Sequence, residues 1–181
     1  MKAAKVFACS AAVVVALLVT TFNSPAPIFM HYEGVEGVVT VPGVTNGVEV
    51  LSFSVGHSRT NLSGPPTLSD LVVVKQLDKS SPKLAEMCAS GQHIPKAVLH
   101  VRKAGGSGQE DYYTVTFEDL LVTSYSVGGG GGSSGGDDVP TESLSLNYTK
   151  IEWKYQPQDI AGVPTGPPVI GRWPPSAPGT P

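Results

Sequence analysis

The residues that could do chemistry in this chain are few and scattered. His31, His57, His93 and His100 are its four histidines, and none has a second ligand at the short spacing a zinc site needs. His93 follows a candidate helix stop, where an imidazole pairs with the helix dipole. His100 alternates opposite Leu99 and Val101, which turns it to solvent or to a partner subunit. Glu118 and Asp119 are neighbours in a candidate strand, so they point to opposite faces and cannot share acid-base work. Gly130, Gly132 and Gly135 match Gly-x-Gly-x-x-Gly formally, but Asp137-Asp138-Val139-Pro140 follows instead of a helix, and two carboxylates repel a pyrophosphate. The same acidic pair supplies too few oxygens for calcium. Cys88 stands apart from any base and reads as a small buried hydrophobe. No catalytic, cofactor or metal set emerges, and the expected class is not an enzyme.

The elements that would position these residues are mostly strands. "VEVLSFSV" (48–55), "LVVVKQL" (71–77), "KAVLHVRK" (96–103) and "DYYTVTFEDLLVTSYSV" (111–127) are β-branched, aromatic and alternating. Pro42-Gly43, Gly64-Pro65-Pro66, Gly105-Gly106 and the glycines from 128 to 136 separate them. Such spacing predicts a mainly β fold, a barrel or sandwich. One helix interrupts it: "SSPKLAEMCASGQH" offers Ser81 as N-cap, Pro82 in the first turn, an apolar face of Leu84, Met87 and Cys88, and Gly91 as the stop. Its narrow stripe suits a helix lying beside a barrel.

"PTESLSLNYTKIEWKY" (140–155) holds an anomaly. Leu144, Leu146 and Tyr148 alternate at even positions and Ile151, Trp153 and Tyr155 at odd ones, although a strand keeps one face throughout. A one-residue bulge near Thr149-Lys150 would return both triplets to one core. Alternatively, the second triplet faces another surface, a neighbour or the helix.

Both ends differ from this body. Residues 1–26 have Lys2 and Lys5 before an apolar run and then small residues, the order of an export signal. A helix from Val6 to Phe22 would be about 26 Å long, short of a hydrocarbon core of roughly 30 Å. A cleaved signal, an uncleaved anchor and a misplaced start all remain open. Residues 27–162 form the domain, and 163–181 read as a Pro-rich disordered tail. With 12 Lys and Arg against 15 Asp and Glu, no basic stripe offers itself to nucleic acid.

The blocks "IFMHYEGVEG", "VEVLSFSVG", "KQLDKSSPKLAEMCASGQHIPKAVLHVRKAGG", "YTVTFEDLLVTSYSVGG" and "PTESLSLNYTKIEWKYQPQ" resemble, in order and spacing, the Hcp (hemolysin-coregulated protein) family, the inner-tube protein of type VI secretion systems. The resemblance runs from about 28 to 162. It implies a barrel of two sheets with a helix on its side, assembled as a hexameric ring that stacks into a hollow tube. It also implies sheath and spike proteins as partners, small effectors in the lumen, no membrane contact for the mature domain, no cofactor and a secreted destination. A ring needs two different patches that meet, and Ile151, Trp153 and Tyr155 are the candidate subunit contact. The 56–67 loop, with His57, Arg59, Asn61 and Leu62, is the candidate ring-stacking element. Three features depart from the family: a leader that points to a route through the periplasm, a short stacking loop, and the tail. They keep a second reading open, an exported monomeric barrel that binds a partner outside any tube.

Overall fold

The computed structural model describes residues 27–59, 64–103, 110–129 and 139–175. The leader, the tip of the 56–67 loop, the glycine run and the last six residues fall outside them. So do the expectations placed there, those for Asn61 and Leu62 included.

Twelve strands and one helix follow in chain order: β1 (Ile28–Tyr32), β2 (Val39–Val41), β3 (Val44–Glu49), β4 (Ser52–Ser54), β5 (His57–Ser58), β6 (Thr67–Leu68), β7 (Leu71–Gln76), α1 (Ser81–Ser90), β8 (His93–Arg102), β9 (Asp111–Gly128), β10 (Thr141–Asn147), β11 (Lys150–Tyr155) and β12 (Val169–Trp173). Ten strands form one curled antiparallel sheet in the order β2-β3-β1-β8-β9-β10-β7-β4, with β11 on β9 and β12 on β11. β5 and β6 make a separate hairpin. The sheet wraps a single core that includes Met30, Tyr32, Leu71, Leu99, Phe117 and Leu146, closed at one side by Leu84 and Met87 of the helix. This is the mainly β, barrel-like fold with one flanking helix that the alternation predicts.

The helix caps one residue earlier than the sequence suggests. Ser80 is the N-cap, Pro82 lies in the first turn, and Gly91 ends the helix at φ 68°, a left-handed turn that glycine enters without a Cβ penalty. Ser80 makes no side-chain cap; its hydroxyl and its N–H both donate to Asp78 Oδ1.

The face switch in 140–155 has a cause that no single strand contains. Tyr148 and Ile151 are both buried, three residues apart, and so are Leu120 and Phe117 on β9 and Ile94 and Ala97 on β8. Ile94 pairs with Leu120, Ala97 with Phe117, and Phe117 with Ile151, with no register slip between them. All three strands therefore turn together along a line through 95–96, 118–119 and 149–150, where Asp119 adopts φ 54°. The bulge lies elsewhere. β9 gains one residue, Thr123, between the pairs Ser145–Ser124 and Leu146–Val122, which turns Tyr125 inward after Val122.

One stretch of the expected tail is ordered. Val169–Trp173 pairs along the whole of β11, with Trp173 opposite Ile151 and Val169 opposite Tyr155. The prolines that argue for disorder flank this segment, at 167, 168, 174 and 175, and an edge strand tolerates them there because no ladder donor is lost.

Candidate functional site

The row Ile151, Trp153, Tyr155 runs outward from the bend. Ile151 is 2% exposed and packs into the core of its own chain, so it is not open to a neighbour. Trp153 is half-buried, with the His57 ring centroid 4.8 Å away at 57°. Tyr155, at 48% exposure, faces outward. Over Trp153 lies the β5–β6 hairpin, where His57 pairs with Leu68. A cleft of about 210 Å³ remains between hairpin and sheet, lined by His57, Arg59, Leu68, Trp153, Arg172 and Trp173. The base of the loop expected to stack rings is thus fixed on an aromatic platform in its own chain.

On the opposite face of these strands the charges pair off. Lys96, Glu118 and Lys150 stand across from one another on three adjacent strands, and Lys150 Nζ lies 2.8 Å from Glu118 Oε2. Arg172 meets Glu152 at 2.6 Å. Both pairs are largely open to water, which screens them, so they contribute little to stability.

His93, His100, Asp111 and Asp119 also have definite partners. His93 Nδ1 lies 2.6 Å from Asp119 Oδ1, so a carboxylate takes the place that the helix dipole was expected to fill. His100 is largely buried instead of open to solvent, and its Nδ1 lies 2.6 Å from Asp111 Oδ2. Arg102, 2% exposed, donates to Asp111 Oδ1 and to the Pro42 carbonyl. Burial pushes Asp111 up, but the hydrogen bonds and charges of His100 and Arg102 together outweigh it and hold the carboxyl below its ordinary 3.8.

A second ionic cluster lies under the start of α1. Lys75 and Glu142 sit directly opposite on β7 and β10 with both side chains fully buried, and Lys75 Nζ is 2.7 Å from Glu142 Oε1 and 2.9 Å from Asp78 Oδ1. Tyr125 donates to Glu142 Oε2, and burial together with that acceptor pushes the phenol up to about 12. Asp78 is raised by burial but lowered more by its bonds to Ser80 and Lys75, ending below 3.8. Sequence reasoning passes over this cluster, although Lys75 has the parity of Leu71 and Val73, and Glu142 that of Leu144 and Leu146. Lys75 and Glu142 offset one another's charge inside the fold, and Asp78 closes the cluster from its partly exposed side. Among the described residues, no three His, Cys, Asp or Glu side chains gather as a metal site.

Several large apolar side chains among the described residues stay open to solvent. Tyr155, Ile160, Val163, Val169 and Ile170 are exposed around β12, and Val38 and Leu51 near the opposite end of the sheet.

Comparison with known proteins locates this arrangement. Residues 29–155 match the family described as Type VI secretion system effector, Hcp. Protein hcp1 of Pseudomonas aeruginosa is 40% identical over 106 residues, 59% of this chain and 63% of that protein, so the match spans just under two thirds of the relative. The Major exported protein of the same organism is 27% identical over 139 residues, 73% of this chain and 77% of its own length. Among solved structures, a type six secretion system protein superimposes with a TM-score of 0.70 at 27% identity, covering 81% of this chain and 93% of that one. Hcp1 from Salmonella typhimurium gives 0.67 at 27%, covering 83% and 94%.

Proposed function

The chain belongs to the Hcp family of type VI secretion, and from that premise we propose that it is a structural ring protein, six copies enclosing a lumen, whose rings stack as a secretion tube. The observation that carries the proposal is the family match over 29–155 on a barrel whose interior is filled by its own side chains. A packed barrel conducts nothing. A lumen therefore has to arise between copies arranged about an axis, and a heterologous contact generates such an arrangement.

In this reading the ring carries small effectors in its lumen, is propelled by sheath proteins behind a spike, and ends outside the cell. The leader, if it acts, adds passage through the periplasm. Tyr155 and the outer edge of Trp153 belong to the subunit contact, and Ile151 supports them from within. The 56–67 hairpin is the stacking element, its base held by the His57–Trp153 contact. No catalytic role is assigned to any residue.

Negative-stain images of the purified full chain test the proposal. Rings with six-fold symmetry and a stained centre are expected. Particles of single-chain size at every concentration would overturn it and favour the monomeric binding protein.

A further inference from the structure

Three groups without partners converge on one recess. It has a volume of about 400 Å³ and lies where the turn between β2 and β3, at Pro42 and Gly43, meets β8, β9 and β11, with Arg102, Glu110, Thr114 and Lys154 in its walls. Lys154 stands directly opposite Thr114, and Thr114 opposite His100, two residues before Arg102. The Arg102 side chain is 2% exposed and fixed on three sides. Its Nε donates to Asp111 Oδ1 at 2.7 Å, its Nη2 donates to the Pro42 carbonyl at 2.6 Å, and its guanidinium carbon lies 5.7 Å from the centre of the Phe29 ring. Nη1 has no partner. Buried donors are nearly always paired, so this one is short of an acceptor. Asp111 is matched by His100 and Arg102. Lys154 and Glu110 are exposed, and among the described residues neither has an ionic partner; they share the recess without bridging each other.

We propose that this recess binds a small zwitterion of the amino-acid type, its carboxylate taken by Lys154 and the Arg102 Nη1 group and its ammonium by Glu110. The volume is that of a small-molecule site, and charge decides among ligand classes. A simple anion would meet Lys154 but also Glu110, and a simple cation the reverse, so each is opposed by one wall. A molecule carrying both charges is opposed by neither, and it fills the gap across which Lys154 and Glu110 fail to pair. The guanidinium adds direction. Asp111, Pro42 and Phe29 hold it before any ligand arrives, and a donor held in place loses little freedom on binding. Gly43, at φ 80°, carries no Cβ, and one built there would stand 3.7 Å from Nη2, so the turn leaves that side of the guanidinium uncovered. The recess is formed within one chain, and binding does not require assembly.

Isothermal titration calorimetry of the full chain tests the site with L-alanine, with N-acetyl-L-alanine, which lacks the ammonium, and with L-alaninamide, which lacks the carboxylate. Alanine is expected to bind, and each single-charge analogue to bind about tenfold or more weakly. Glu110→Gln is expected to erase alanine's advantage over the acetylated analogue and to keep its advantage over the amide, and Lys154→Gln to do the reverse. Both side chains are exposed, so the variants are expected to melt with the parent. No binding of alanine at about 10 mM, where a ligand of millimolar affinity is largely bound, would overturn the site. So would equal binding of all three probes, binding of inorganic phosphate in alanine's place, or advantages that survive both substitutions.

Discussion

The bend at 95–96, 118–119 and 149–150 and the terminal strand β12 are built on opposite terms. At the bend the side chains of three strands close on one another: Ala97, Phe117, Leu120 and Ile94 are fully buried, and Phe117 meets the Tyr148 ring edge-on at 5.0 Å. Along β12 only Trp173 is half-buried, and Val169 and Ile170 lie open to solvent. One region spends its apolar surface on folding the chain, whereas the other holds it in reserve. The contrast separates what folds the chain from what stays on its surface: a defect at the bend should unfold the protein, and a defect on the outer face of β12 should leave the fold intact.

Truncation at the bend is the strongest probe. Phe117→Ala is expected to lower unfolding free energy by about 3–5 kcal/mol, read by urea denaturation. Close behind is the buried pair. Glu142→Ala leaves Lys75 charged and without its facing carboxylate, and removing one partner of such a pair costs about 3–5 kcal/mol. Replacing both, Lys75→Met with Glu142→Leu, should recover most of that loss, which the same titration measures. Trp173→Ala is expected to cost only about 1–2 kcal/mol, in keeping with partial burial. If it costs as much as Phe117→Ala, the contrast between the two regions fails.

Acid sharpens the comparison further. Asp78 and Asp111 are held below their ordinary value of 3.8 in the folded chain. The unfolded chain binds those protons first as pH drops, so the stability these groups contribute is present above about 3.8 and is lost as pH falls through their folded values. Asp111→Asn should flatten the fall of melting temperature below pH 4. The smallest effect on the fold is expected for Ile170→Asp, within about 0.5 kcal/mol as for other exposed positions.

Much of this was legible in the residues. Alternation and Gly-Pro punctuation marked the principal strands, and Pro82 and Gly91 marked the helix to within one residue at its start. The parity change between Tyr148 and Ile151 was visible too. Its cause was not, because a line crossing three strands is defined by their pairing and by no local pattern. The same three-residue step occurs from Ile94 to Ala97 and from Phe117 to Leu120, and it becomes a signal only when the strands are laid side by side. β12 was hidden by the prolines on either side of Val169–Trp173. Charge hides Lys75 and Glu142, because it suggests solvent, while their parity with neighbouring leucines and valines points inward. Of the proposed subunit row, Tyr155 faces outward, but Ile151 could be placed only once the bend was known.

If six copies of the chain form a ring, as proposed, the mass of the full chain by light scattering over a concentration series shows it. A species of about six chains that persists on dilution is expected. A mass of one chain at every concentration would contradict it.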